Sequence, residues 1–84
     1  MRKEVTFRDL ERVLLTVGFV ITHGPGPHKL YTHPSFDAKI VLPPHQAKET
    51  VRLANLVAVR RTLSENGVLD PDSFDRLLEE VIIP

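Results

Sequence analysis

The chain lacks cysteine, which excludes disulfide cross-links and thiolate chemistry. It also lacks any apolar run near the roughly 20 residues that are needed to cross a bilayer. The first residues, MRKEVTFRDLERVLL, are charged throughout and contain no apolar segment of a signal peptide. We therefore expect a cytoplasmic protein without a membrane partner. A length of 84 residues predicts one domain, spanning 1–84.

The net charge is zero, but the charges are unevenly distributed along the chain. Residues 1–61 contain ten Lys or Arg against five Asp or Glu, a balance of +5. Residues 62–84 contain one Arg against six acids, a balance of −5. The basic part suits a polyanion such as nucleic acid, and the acidic part opposes one.

The hydrophobic pattern predicts a helix, three strands and two further helices. The first helix covers 6–17, with Thr6 as N-cap, Asp9 completing a capping box and Gly18 ending the helix. Three segments rich in β-branched or apolar residues then predict short strands at 19–23, 28–33 and 38–43.

Two helices are expected to follow the strands. A long one covers about 47–66 and ends at Asn66-Gly67, and a short one restarts at Asp70-Pro71. The order α-β-β-β-α with an extra C-terminal helix predicts an α+β fold. We expect a three-stranded antiparallel sheet with helices on one face.

Three of the four histidines lie in HGPGPHKLYTH, residues 23–33, around two Gly-Pro pairs. A four-residue hairpin loop would place His23 opposite His28, with His33 on the other face of the sheet. His45 follows the third strand. These histidines have three interpretations: solvated loop residues, a metal site formed by His23, His28 and His45, or general acid–base groups.

A resemblance favours the third interpretation. The order and spacing of three short motifs resemble the HicA (YcfA-like) toxins over about residues 6–66; the motifs are Gly26-x-His28, Tyr31-x-His33-Pro34 and Pro43-x-His45-x-x-Lys48-Glu49. That family implies a fold like double-stranded-RNA-binding domains for residues 1–67. It further implies an mRNA interferase of a toxin–antitoxin system, which is an endoribonuclease (a hydrolase) that needs neither metal nor cofactor. Its implied partners are mRNA and a HicB-type antitoxin protein.

The resemblance also implies roles for individual residues. His28 corresponds to the catalytic histidine, which in the family follows a Gly-Ser pair; here Gly26-Pro27 precedes it. Further residues are expected to bind RNA or support the reaction, namely Gly26, Lys29, Tyr31, His45, Lys48 and Arg52. The cations among them are candidates because the charge that develops on a phosphate needs cations held close. Tyr31 could either stack on a base or pack in the core or at the surface. Arg60 and Arg61 are additional candidate phosphate ligands. His45 and His23 remain alternatives for the second acid or base.

Residues 68–84 extend beyond the usual family length and leave other functions open. This acidic segment could lie over the basic surface, pack on the core or dock a partner. The chain could accordingly be a HicA-like fold that binds RNA or protein without cleaving. It could also be an interaction protein, a homodimer included, that pairs through the apolar residues Val81, Ile82 and Ile83.

Overall fold

The structure, a computed structural model, describes residues 4–23, 26, 28–43, 46 and 48–82, with His23 and Ile82 described by their backbone alone. The predicted α+β class and the predicted order of elements are confirmed. The elements are α1 (Phe7–Thr16), β1 (Val20–His23), β2 (Lys29–Thr32), β3 (Lys39–Leu42), α2 (Leu53–Glu65) and α3 (Pro71–Ile82).

The boundaries of α1 follow from its local chemistry, as the sequence predicts. The Thr6 hydroxyl accepts the Asp9 backbone N–H at 3.3 Å, and the Asp9 carboxylate accepts the Thr6 N–H at 3.1 Å. Gly18, with φ 105°, takes the left-handed conformation that ends the helix. One apolar face of α1 is buried, through Phe7, Leu10, Val13 and Leu14.

The three strands form an antiparallel sheet in the order β1-β2-β3, but the predicted hairpin register is wrong by one residue. His23 pairs with Lys29 rather than with His28, and Ile21 pairs with Tyr31. The connection is therefore five residues, 24–28, and His28 precedes the strand. Because successive residues of a strand point to opposite faces, this shift places Tyr31 on the same face as Ile21.

The helices cover one face of the sheet. On β3, Ile40 and Leu42 are buried, whereas Val41 between them is 60% exposed. Tyr31, the partner of Ile40, is buried in the same cluster as the apolar side chains of the helices. None of the helices in the described residues is both long and apolar enough to cross a membrane.

The long helix begins at Leu53, six residues later than predicted. Thr50 and Val51, shortly before the helix, instead pair in an extended conformation with the N-terminal segment. Thr50 forms a bridge with Thr6, and the Val51 N–H donates to the Val5 carbonyl at 2.7 Å. A backbone contact with a distant segment has here overridden the local apolar pattern.

The C-terminal helix is an integral part of the core. Phe74 and Leu78 are buried among residues of the other elements, and α3 contacts both α1 and α2. Asp70 begins the helix, since its carboxylate accepts the Ser73 hydroxyl at 2.6 Å and the Ser73 N–H at 3.0 Å. These two bonds lower the pKa of Asp70 below its usual range. Of the three roles open for the acidic segment, packing on the core is therefore the one observed.

Candidate functional site

Several of the residues singled out by the sequence lie at one end of the sheet. We call it the hairpin end: it is where β1 ends at His23, β2 begins at Lys29 and β3 ends at Leu42. Lys29 pairs with both His23 and Leu42, which fixes the three strand ends beside one another. His28 is exposed and immediately precedes Lys29.

The start of α1 lies at the same end. Midway along the helix, Glu11 contacts Lys29, whereas Val17 at the helix C-terminus contacts His33, which follows β2 at the opposite end of the sheet. The helix therefore runs antiparallel to β1, with its N-terminus toward the hairpin end. Arg8, in the first turn, is exposed there.

Residues 48–52 bring two further cations to this end. The Phe7 N–H donates to the Glu49 carbonyl at 2.9 Å, which places the segment beside the start of α1. Lys48 and Arg52 are both exposed. Neither they nor Arg8 forms an ion pair with any described residue. The hairpin end thus combines an exposed imidazole with three exposed cations from two segments, α1 and residues 48–52.

Two of the predicted RNA ligands have other partners. Tyr31 is fully buried, so a base cannot stack on its ring, and of the alternatives open for this residue packing in the core is the one observed. Its hydroxyl donates to Glu11 Oε1 at 2.7 Å. The same oxygen lies 3.5 Å from Lys29 Nζ, so this lysine is partly neutralised rather than a free phosphate ligand.

Burial and the neighbouring Glu11 carboxylate raise the pKa of Tyr31 above its ordinary value. Since the folded state holds this proton more tightly than the unfolded chain, the linked stability is present below about pH 10 and is lost as the pH rises further. Tyr31 is the one tyrosine and the chain has no tryptophan, so absorbance at 295 nm reports this phenol alone. We expect phenolate absorbance to appear only with unfolding, as followed by circular dichroism. Ionisation near pH 10 while the chain stays folded would contradict the buried Tyr31–Glu11 contact.

Gly26 occupies the exposed turn of the hairpin with φ 79° and has no neighbour within 4 Å of an added Cβ. His45 and Pro27 lie outside the described residues, so their predicted contributions remain predictions. Among the described residues, no group of three His, Cys, Asp or Glu side chains could hold a metal ion. The three-histidine alternative is untested, because two of its members fall outside the side chains described.

His33, part of the second motif, is a structural residue at the other end of the sheet. Its Nδ1 accepts the Ser35 N–H at 3.0 Å, so Nε2 carries the proton and donates to the Val17 carbonyl at 2.8 Å. The ring packs edge-on against Phe19 and Phe36, with centroid distances of 5.0 and 4.9 Å. It therefore joins the β2–β3 turn to the end of α1.

The candidate cations on α2 differ in their surroundings. Arg60 makes a two-bond ion pair with Asp75 of α3, at 3.1 and 3.0 Å, and is therefore not a free phosphate ligand. Arg61 is exposed and forms no ion pair within the described part of the chain. α3 thus neutralises one of the cations that the sequence suggested for RNA.

Sequence reasoning missed Arg8 and Glu11. Both belong to the polar side of an amphipathic helix, where charged residues are ordinary, and only the antiparallel placement of α1 brings them to the hairpin end. No family model, curated protein or solved structure significantly matches this chain. The resemblance to the HicA toxins therefore depends on the three motifs and on the order and length of the elements.

Proposed function

We propose that the protein is a HicA-like endoribonuclease that cleaves mRNA at the hairpin end, with His28 as a catalytic residue. The single observation that carries this proposal is the convergence at that end of an exposed histidine with Arg8, Lys48 and Arg52. The resemblance of the motifs to the HicA toxins suggests the reaction. The exposed His28 and the three cations form a surface on which RNA could bind and react in that way.

The reaction we infer requires proton transfer and charge stabilisation but no resident metal. A base takes the proton of a ribose 2′-hydroxyl, and O2′ then forms a bond to the adjacent phosphorus while the P–O5′ bond breaks. The departing O5′ takes a proton from an acid, which leaves a 2′,3′-cyclic phosphate and a 5′-hydroxyl. His28 fills one of these two roles. The cations stabilise the charge that develops on the phosphoryl oxygens.

The surrounding cations also suit RNA in a second way. Phosphate contacts dominate the affinity of nucleic-acid-binding proteins and make that affinity depend on salt. Arg8 lies on α1 and Lys48 and Arg52 lie in residues 48–52, so cations from two segments can follow a backbone across the hairpin end. As part of the same proposal, the protein acts in the cytoplasm and a HicB-type antitoxin neutralises it by covering this end.

The proposal is tested by RNA cleavage with the purified protein in EDTA. We expect wild type to cleave and His28→Ala to lose about 100-fold or more of the rate, in line with the usual contribution of a general acid or base. Lys39→Ala is the matched control, because Lys39 is an exposed cation in the same sheet whose strand partner, Thr32, lies away from the hairpin end. Equal cleavage by wild type and His28→Ala would overturn the role of His28, and intact RNA with every variant would overturn the enzyme itself.

A further inference from the structure

A single carboxylate oxygen joins β2 to α1 next to the proposed site. Glu11 Oε1 accepts the Tyr31 hydroxyl at 2.7 Å and lies 3.5 Å from Lys29 Nζ. The Glu11 side chain is 27% exposed and that of Lys29 is 43% exposed. Both partners belong to β2, and Lys29 directly follows His28.

This contact is better explained by geometry than by stability. An ion pair this exposed contributes little to folding, and a partly buried carboxylate loses hydration. The buried Tyr31 hydroxyl needs an acceptor, but a neutral amide oxygen at position 11 would satisfy it without that loss. Directional bonds instead fix how the two elements lie relative to each other.

The elements joined in this way carry the two sides of the proposed site. β2 begins immediately after His28, and α1 carries Arg8 one turn before Glu11, on the same side of the helix. Fixing Lys29 and Tyr31 to Glu11 therefore fixes the start of β2, and with it His28, relative to Arg8. A shift of about 1 Å between reacting groups can lower a rate by as much as 100-fold.

We propose that Glu11 is a positioning residue for the hairpin end: it holds the His28 side of the site against the Arg8 side without touching the RNA. The proposal deepens the proposed function and rests on it. A positioning role affects the rate of the chemical step more than the binding of substrate, so kcat and KM separate it from a role in RNA binding.

Three variants test the role by graded loss of the contact. Glu11→Gln keeps an oxygen for the Tyr31 hydroxyl but loses the charge beside Lys29; Tyr31→Phe loses the hydroxyl and keeps the ring; Glu11→Ala loses both bonds. Glu4→Gln is the control, because it removes one exposed negative charge beside the start of α1, keeps an oxygen for the Thr50 hydroxyl and leaves the Glu11 contact intact.

We expect kcat for a short RNA to fall about 3-fold in Glu11→Gln and Tyr31→Phe and about 30-fold in Glu11→Ala, with KM within about 2-fold of wild type. In Glu4→Gln, kcat should stay at the wild-type value. Each assay is run at a temperature at which circular dichroism shows the variant folded. A merely structural role would lower the melting temperature and leave kcat of the folded protein unchanged.

The outcomes separate the two proposals. An active wild type with Glu11→Ala within about 2-fold in kcat would overturn the positioning role and leave the ribonuclease intact. A change confined to KM would assign Glu11 to RNA binding and likewise overturn the positioning role. Wild type that leaves RNA intact would overturn the proposed function, and the positioning role with it.

Discussion

A chain ended at Gly67 is expected to lose its cooperative fold. The truncation removes the buried side chains Phe74 and Leu78, together with Leu77 and Val81, which pack against the same core. A fully buried side chain of this size contributes about 1.5–3 kcal/mol, and small domains are stable by only about 5–15 kcal/mol. The loss therefore approaches the whole free energy of unfolding. Urea titration followed by far-ultraviolet circular dichroism measures it.

A point variant gives the same test with less disruption. Phe74→Ala should lower the free energy of unfolding by about 3–5 kcal/mol, because the ring is almost fully buried. Glu79→Ala, on the exposed side of α3, should stay within about 0.5 kcal/mol of wild type. If the truncated chain kept a cooperative transition at the wild-type midpoint, α3 would not belong to the core.

Because truncation unfolds the chain, Asp75→Asn is the cleaner way to release Arg60 and test whether α3 weakens RNA binding.

Gly18→Ala is expected to destabilise the fold by about 2–5 kcal/mol. A Cβ at Gly18 would lie 2.7 Å from His33 Nε2, and the backbone has φ 105°, which side chains rarely adopt. The ring cannot easily move, because both of its nitrogens are hydrogen-bonded and Phe19 and Phe36 pack on it. Backbone strain of about 1–2 kcal/mol and a steric term of about 1–3 kcal/mol therefore add.

Gly67→Ala separates these two contributions. Gly67 also has positive φ, 73°, but nothing lies within 4 Å of an added Cβ, so only the strain remains. We expect Gly67→Ala to cost about 1–2 kcal/mol. Combining Gly18→Ala with His33→Ala removes the clash, so the double variant should be more stable than the sum of the single effects implies. Equal costs for Gly18→Ala and Gly67→Ala, or strict additivity, would contradict the packing of His33 against Gly18.

Elements set by local chemistry could be predicted from the sequence, and elements set by distant contacts could not. The capping box at Thr6, the glycine after α1 and the Asp70-Pro71 start of α3 all depend on residues a few positions apart. The start of α2 depends on the pairing of Thr50 with Thr6, which no local pattern contains. The apolar residues before Leu53 consequently suggested a helix that begins too early.

The candidate site was predictable to a similar degree. His28 and Lys48 belong to the motifs, and Arg52 was a candidate cation; the fold brings all three to one end of the sheet, where their roles stay predictions. Whether Tyr31 stacks on a base or packs in the core could not be decided from the sequence, because the alternation of β2 does not say which face of the sheet the helices cover. The sequence alone does not place Arg8 and Glu11 at the hairpin end, because their position depends on the direction of α1 relative to the sheet.

The most direct test of the central claim is the chemistry of the cut. A short RNA and its fully 2′-O-methylated counterpart are incubated with the protein in EDTA, and the product ends are identified by mass spectrometry. We predict that only the unmodified RNA is cut, with a 2′,3′-cyclic phosphate on one product and a 5′-hydroxyl on the other, and that His28→Ala leaves it intact. Cleavage of the methylated RNA, or undiminished cleavage by His28→Ala, would contradict a histidine-dependent attack by the 2′-hydroxyl at the hairpin end.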